Sequence, residues 1–300
     1  MQNFSEYLRS KEVSDDLMSV LETLEESVKQ ISCSIIGGHC CKNAGSVNSS
    51  GEEQIALDLQ SDEIITNEIS KNSYIGLIAS EEKPGEERVG RGEFAVCYDP
   101  LDGSSLVDVN LAVGSIFGIY KAESFIGVRG DDQLASMIAV YGPRTTILLT
   151  VKSGVVEFSL NKDGEFELVR DDLKVESGKM FAPGNLRACA FREDYKKLLA
   201  FWCENQYTLR YSGGMVPDVN QIILKGKGVF SYPAYEETPE GKLRLLFECA
   251  PMALLMEEAG GKASDGRVRI LEKEVSYVHE RTPVFLGSKE EVERCDEYLG

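Results

Sequence analysis

The run Asp99-Pro100-Leu101-Asp102-Gly103-Ser104-Ser105 constrains this chain more than any other stretch. A strand-like segment, Glu93-Phe94-Ala95-Val96-Cys97-Tyr98, leads into it. Two carboxylates then stand three residues apart on a turn that Pro100 stiffens, and a glycine and two hydroxyls follow at once. Hard cations take oxygen ligands, and Mg2+ is commonly held by one or two carboxylates together with phosphate oxygens. Phosphates take exposed backbone N–H groups, which Gly and Ser at a turn supply. One short stretch therefore offers a metal on one side and a phosphate on the other.

Acidic residues recur at the ends of other apolar runs. Residues 74–79 end on Ser80-Glu81-Glu82, and residues 243–247 end on Glu248. A carboxylate just past a buried strand lies at a sheet edge, where open α/β sheets place their ligands. Two bare carboxylates ~4 Å apart repel by roughly 4 kcal/mol at an effective dielectric near 20, so gathered acids call for cations. Asp99, Asp102, Glu81 and Glu248 are the expected side-chain ligands, and the Leu101 carbonyl could add an oxygen. The second half supplies the opposite charge. On an extended strand Lys242 and Arg244 project from one face. Two cations one pleat apart can grip a phosphate, the arginine by forking its oxygens. Tyr211, Tyr232 and Asn185 are candidates for binding sugar hydroxyls. A metal end and a basic end together suit a substrate with two phosphates, one reacting and one anchoring.

Composition removes several alternatives. The net charge of −18 argues against a nucleic-acid binder. No window reaches the ~18 apolar residues of a membrane span, and the N-terminus lacks a basic start followed by an apolar core. The expected setting is cytoplasmic, although a plastid protein relieved of its transit peptide would look the same. The eight cysteines form no CxxC pair and no zinc pattern, and several, such as Cys97 and Cys249, sit in apolar runs. Reduced thiols are expected, with Cys40-Cys41 the only pair suggesting redox chemistry. Two histidines, His39 and His279, leave little material for a histidine-based phosphatase. Neither G-x-x-x-x-G-K-[ST] nor G-x-G-x-x-G is present, which counts against a nucleotide-driven kinase or a dinucleotide enzyme. A water nucleophile activated by metal fits best.

Val20, Leu21, Leu24, Val28, Ile31 and Ile35 recur at helical steps, so the first thirty-odd residues read as helix up to Gly37-Gly38. Residues 42–51 read as a mobile loop. A second helix is expected from Glu52 to about Ser70, with Ile55, Leu59, Ile64, Ile65 and Ile69 inward. Strands are expected at 74–79, 93–98, 114–121, 136–152, 228–232 and 243–247, with a hairpin at Asn161-Lys162-Asp163-Gly164. Helices are expected at 193–204, near 217–223 and at 251–258. This mixture predicts an α/β (α+β mixed) enzyme of two closely joined halves, residues 1–178 and 179–300.

Tyr98-Asp99-Pro100-Leu101-Asp102-Gly103-Ser104-Ser105 and Lys242-Leu243-Arg244-Leu245-Leu246-Phe247-Glu248 strongly resemble motifs of the fructose-1,6-bisphosphatase/sedoheptulose-1,7-bisphosphatase family. That family belongs to a wider group of lithium-sensitive, metal-dependent sugar and inositol phosphatases. The resemblance covers residues 51–287. It implies a layered αβαβα sandwich, two or more Mg2+ (or Mn2+) ions per site, a sugar bisphosphate substrate and a homodimer or homotetramer. Tyr141-Gly142-Pro143-Arg144-Thr145-Thr146, Phe181-Ala182-Pro183-Gly184-Asn185-Leu186-Arg187 and Gly213-Gly214-Met215-Val216-Pro217-Asp218-Val219-Asn220-Gln221 are more similar to the sedoheptulose branch. Ile36-Gly37-Gly38-His39-Cys40-Cys41 is similar to a redox-active Cys-Gly-Gly-Thr-Ala-Cys segment of the plant plastid enzyme. Ile36 replaces its first cysteine, which argues against thioredoxin control.

By resemblance, Glu81, Asp99, Leu101 (through its carbonyl), Asp102 and Glu248 are metal ligands. Glu52, Asp58 and Glu82 are the acids that tune the metals and the attacking water. Asp102, Gly103, Ser104 and Ser105 hold the reacting phosphate. Tyr211, Tyr232, Lys242 and Arg244 contact the sugar and distal phosphate, and Arg210 reaches across a dimer interface; Asn185 and Arg187 are read from the residues as further substrate contacts, in the region expected to choose the sugar. The implied reaction removes the 1-phosphate of sedoheptulose 1,7-bisphosphate, giving the 7-phosphate and inorganic phosphate. The alternatives are a fructose-1,6-bisphosphatase, an enzyme using both substrates, and a non-catalytic sugar-phosphate sensor.

Overall fold

The structure, a computed structural model, describes residues 2–37, 43–47 and 53–300, with only the backbone of 43–47 and 53–55. His39, Cys40, Cys41 and Glu52 therefore lie outside the described residues. Two helices, α1 (Phe4–Ser10) and α2 (Asp15–Ile36), replace the single N-terminal helix expected. Asn3 and Glu6 form a capping box that starts α1, and the Ser14 hydroxyl starts α2 by accepting the Leu17 N–H. Glu12, at φ +54°, turns the chain between them. Part of the expected loop is instead a strand: β1 (Asn43–Val47) pairs antiparallel with β2 (Glu53–Ile55). Helix α3 (Ala56–Ile69) consequently begins at Ala56 rather than Glu52. Its Ile65 and Ile69 are buried, whereas Leu59 faces outward.

The larger sheet contains β3 (Ile75–Ser80), β4 (Glu86–Arg88), β5 (Phe94–Asp102), β6 (Val113–Lys121), β7 (Ala135–Tyr141), β8 (Thr145–Thr150), β9 (Val155–Leu160) and β10 (Phe166–Arg170). Their order is β10-β9-β8-β7-β6-β5-β3-β4, antiparallel except for the β3/β5 pair. The β9–β10 hairpin stands where expected, with Asn161 Oδ1 accepting the Asp163 and Glu165 N–H groups. The second sheet is built from β11 (Glu176–Pro183), β12 (Thr208–Leu209), β13 (Lys227–Tyr232), β14 (Lys262–Ser264) and β15 (Val284–Gly287), in the order β12-β11-β13-β15-β14. Four helices accompany it: α4 (Glu193–Glu204), α5 (Met215–Lys225), α6 (Ala250–Glu258) and α7 (Lys289–Leu299).

Strand alternation separates the cores. Val96, Tyr98, Phe117 and Ile119 face α1, α2 and α3, while Ala95, Cys97, Ile116 and Tyr120 face α5 and α6. Helices α5 and α6 also cover Met180, Ala182, Phe230 and Leu286 of the second sheet. Helices α4 and α7 close the outer face of that sheet around Phe181, Trp202, Val229 and Phe285. The order is helix, sheet, helix, sheet, helix, which is the expected αβαβα sandwich. Helix α6 is buried from Ala250 to Met256, as a helix between two sheets must be.

One expected strand is not there. Arg244 is extended and bridges Arg281, but Leu245–Cys249 form a π-helical turn that runs into α6. Leu245, Leu246, Phe247 and Cys249 are all buried. A short run buried on every side carries no periodicity that separates strand from helix.

Candidate active site

Strands β3 and β5 run parallel with Ser80 opposite Tyr98, so Glu81, Glu82 and Asp99 emerge side by side. The Glu81 N–H donates to the Tyr98 carbonyl at 3.1 Å, which ties the two strand ends together. The expected turn at Asp99-Pro100-Leu101-Asp102 is instead a continuation of β5. Its register against β6 slips between Asp99 and Asp102. The Ser115 hydroxyl of β6 donates to the Pro100 carbonyl at 2.7 Å, and the Leu101 N–H donates to Asp99 Oδ1 at 2.9 Å. Residues three apart on a regular strand point to opposite faces. The bulge re-aims them, and Asp99 and Asp102 serve one site.

Glu248 comes from the π-helical turn, not from the end of a strand. The Arg244 N–H donates to its Oε2 at 2.6 Å. The Val216 N–H, at the start of α5, donates to Asp102 Oδ2 at 2.6 Å. Gly214, the N-cap of α5, offers no side-chain cap, so an aspartate from the larger sheet performs that role. Ligand oxygens of Asp99, Asp102 and Glu248 all lie within 4.8 Å of one another. Glu81 borders the cluster, and its Oε1 is 2.8 Å from Arg244 Nη1, which is also 3.9 Å from Glu248 Oε2.

These acids are under-compensated. Burial pushes the Asp99 carboxyl well above the usual range, and the charges of Glu81, Asp102 and Glu248 push the same way. Burial lifts Asp102 to about 6 against the opposing Val216 N–H. Burial and the Glu81 charge lift Glu248 to about 8, against the pull of Arg244. Converging buried carboxylates with one nearby arginine are the donor set that a hard divalent cation satisfies.

Gly103 follows in the left-handed region at φ +76°, and residues 104–109 form a short 3-10 turn. A Cβ on Gly103 would sit 3.3 Å from the Gly214 Cα, so the two loops touch through glycine. Above them opens a cleft of about 350 Å3, bordered by Asp58, Glu81, Glu82, Asp99, Leu101, Asp102, Gly103, Ser104, Ser105, Tyr211, Tyr232, Lys242, Arg244 and Glu248. A second lobe of about 440 Å3 shares Gly184, Tyr211, Tyr232 and Lys242 with it and adds Asn185, Arg187, Tyr235 and Thr238.

Some expected contacts take another form. Arg244 and Lys242 are not one pleat apart on a strand: Arg244 is buried on Glu81, while Lys242 is exposed between the two lobes. Asn185 donates its amide to the Pro233 carbonyl at 3.4 Å. Arg210 is exposed and borders neither lobe. His279 packs on Phe247, its Nε2 2.7 Å from the Lys83 carbonyl oxygen. Sequence reasoning missed the groups that hold the acids in place, namely the N–H groups of Leu101, Val216 and Arg244. Backbone donors carry no side-chain signature that could have revealed them.

Known proteins share this arrangement. Residues 3–171 match the family described as fructose-1-6-bisphosphatase, N-terminal domain, and residues 175–300 match its C-terminal domain. A chloroplastic sedoheptulose-1,7-bisphosphatase of Triticum aestivum is 44% identical over 284 residues, covering 93% of this chain and 70% of that one. A class 1 fructose-1,6-bisphosphatase of Syntrophotalea carbinolica is 44% identical over 294 residues, covering 97% and 91%. The crystal structure of Leishmania major fructose-1,6-bisphosphatase in holo form superposes with a TM-score of 0.93 at 31% identity, over 99% of this chain and 98% of that one. The buried acids, the glycine-held loop beside them and both matched domains agree that the chain belongs to the metal-dependent fructose-1,6-bisphosphatase family and is a sugar bisphosphatase, a phosphoric monoester hydrolase.

Proposed function

We propose that this enzyme hydrolyses the 1-phosphate of sedoheptulose 1,7-bisphosphate with Mg2+, giving sedoheptulose 7-phosphate and inorganic phosphate. The observation that carries the reading is that the acid-lined lobe adjoins a second lobe bordered by Lys242 and Arg187. Two adjoining lobes, one lined by acids and one by cations, suit a sugar with a phosphate at each end. The wheat relative, named for the sedoheptulose substrate, supports sedoheptulose as that sugar.

In this reading Asp99, Asp102 and Glu248 hold the cation, with Glu81 and the Leu101 carbonyl beside them. When bound, Mg2+ supplies positive charge to the phosphoryl oxygens and acidifies a water. Glu82 and Asp58, which border the cleft, orient that water and take its proton, together with Glu52. Backbone N–H groups of Gly103, Ser104 and Ser105 receive the charge that develops on the departing phosphoryl group. Tyr211 and Tyr232 contact the sugar, and Lys242 and Arg187 anchor the distal phosphate. Arg244, which borders the cleft, offsets part of the charge of Glu81 and Glu248 and contacts a substrate phosphate from there. Arg210 extends toward the cleft of a second copy in a homodimer or homotetramer. Residues 1–178 thus carry the metal and phosphate motif, completed by Glu248, and 179–300 carry the sugar and distal-phosphate contacts.

The bacterial class 1 relative favours a second reading, fructose 1,6-bisphosphate as substrate alone or alongside sedoheptulose bisphosphate. Measuring kcat/KM for both bisphosphates, with and without Mg2+, separates these. The expected result is a preference for the sedoheptulose substrate of at least about tenfold, near 1.4 kcal/mol. An equal or reversed ratio overturns the assignment. No phosphate release from either bisphosphate would leave a sensor.

A further inference from the structure

The segment Gly213-Gly214-Met215-Val216-Pro217-Asp218 lines the cleft at one end and holds a buried acid at the other. Asp218 sits in the first turn of α5 and is 1% exposed. Among the described residues no cation pairs with it, and its Oδ1 accepts the Ser212 N–H at 2.8 Å. Burial lifts its carboxyl to about 6, and the Ser212 and Gly213 N–H groups offset only part of that. An acid buried on backbone donors is a costly way to start a helix that Asp102 already caps.

What Asp218 holds is the 212–214 turn. Within it the Gly214 N–H donates to the Ser212 hydroxyl at 3.3 Å, and Gly213 sits at φ +109°. The outer surface of the turn presses on the phosphate loop of the other half. A Cβ on Gly213 would lie 3.1 Å from Leu106 Cδ2, and one on Gly214 would lie 3.3 Å from Leu106 Cδ1. Leu106 belongs to the 3-10 turn that follows Gly103, and Gly103 itself abuts Gly214. An unbroken line of contact therefore runs from the Asp218 carboxylate through Ser212 and Gly214 to Gly103, Ser104 and Ser105.

We infer that Asp218 is a positioning residue: it fastens the 212–214 turn against the Gly103–Leu106 loop and so sets the affinity of the cleft for the reacting phosphate. The inference rests on the reading of that loop as the phosphate cradle. It does not depend on which sugar is preferred, because KM is compared using whichever bisphosphate the unaltered enzyme turns over faster.

The test is a set of substitutions read as KM, kcat and the inhibition constant of inorganic phosphate. Asp218→Ala should raise KM and the phosphate inhibition constant together by about tenfold and lower kcat as well, because the same cradle receives the developing charge. Asp218→Asn keeps an acceptor oxygen for the Ser212 N–H and should return both constants to within about twofold of the unaltered enzyme. Gly213→Ala displaces the turn without touching Asp218 and should reproduce the Asp218→Ala pattern, which keeps the question answerable if Asp218→Ala does not fold. A folded Asp218→Ala enzyme with a lower Tm but unchanged KM would make Asp218 purely structural and overturn the inference. So would Gly213→Ala with unaltered constants. A rise in KM without a rise in the phosphate constant would detach the turn from the cradle and overturn it as well.

Discussion

The two lobes of the cleft are built in opposite ways. In the acid lobe Asp99, Asp102 and Glu248 are at most 8% exposed, and each accepts a named backbone N–H within 2.9 Å. In the second lobe Arg187, Tyr211 and Lys242 are exposed and stand on connecting segments. The first arrangement fixes charge before any substrate arrives, which is what electrostatic stabilisation of a reacting phosphate requires. The second keeps long side chains free to adapt, at a cost in ordering on binding. In the proposed reading, chemistry belongs to the first lobe and choice of sugar to the second.

That division can be broken experimentally, most severely in the first lobe. Asp102→Ala removes a proposed cation ligand and the cap of α5 together. It should lower kcat by about a thousandfold or more, measured as phosphate release at saturating Mg2+. Wild-type turnover would remove Asp102 from the site. Arg244→Met leaves Glu81 and Glu248 without the buried guanidinium between them. Breaking a buried pair in this way should cost about 3 kcal/mol of stability in urea titrations with chelator present. A loss below about 1 kcal/mol would mean that the pairing carries little weight.

In the second lobe the effect should change in kind. Lys242→Ala should raise KM for the bisphosphate about tenfold and leave kcat nearly unaltered, since the lost contact is the same in ground and transition states. A fall in kcat with unchanged KM would show that the two lobes are not separate in function.

The smallest effect concerns protons. Asp102 and Glu248 titrate near 6 and 8 in the folded chain, above their ordinary values of 3.8 and 4.5. A carboxyl raised on folding adds stability while protonated and withdraws it as pH climbs through the raised value. Metal-free protein should therefore lose stability from this cluster between about pH 5 and 8, and a cation that replaces the protons should restore it. The gain in Tm from Mg2+ over chelator should grow by about 5 °C across that range. A gain independent of pH would place the cation elsewhere.

How much of this was legible depends on the kind of residue. The hairpin at Asn161 and Gly164 and helix α4 could be read locally, because turn chemistry and helical periodicity act over a few residues. The run 243–247 could not, because burial on all sides erases periodicity. The bulge between Asp99 and Asp102 was hidden for a related reason: slippage belongs to a strand pair, and β6 lies elsewhere in the sequence. The pairing of Arg244 with Glu81, a residue of the other half, was hidden for the same reason.

Taken alone, the sequence determined the chemical inventory: the acids, the Gly-Ser-Ser loop, the shortage of histidine and the mixture of strand-like and helical segments that predicts an α/β fold. These are properties of residue type and short spacing. Tertiary structure decided which acids share one site, which backbone N–H groups hold them and which cation is spent on neutralising them. Each of those depends on distances of a few ångströms between segments far apart in the chain, and only the packing of two sheets around α5 and α6 sets such distances.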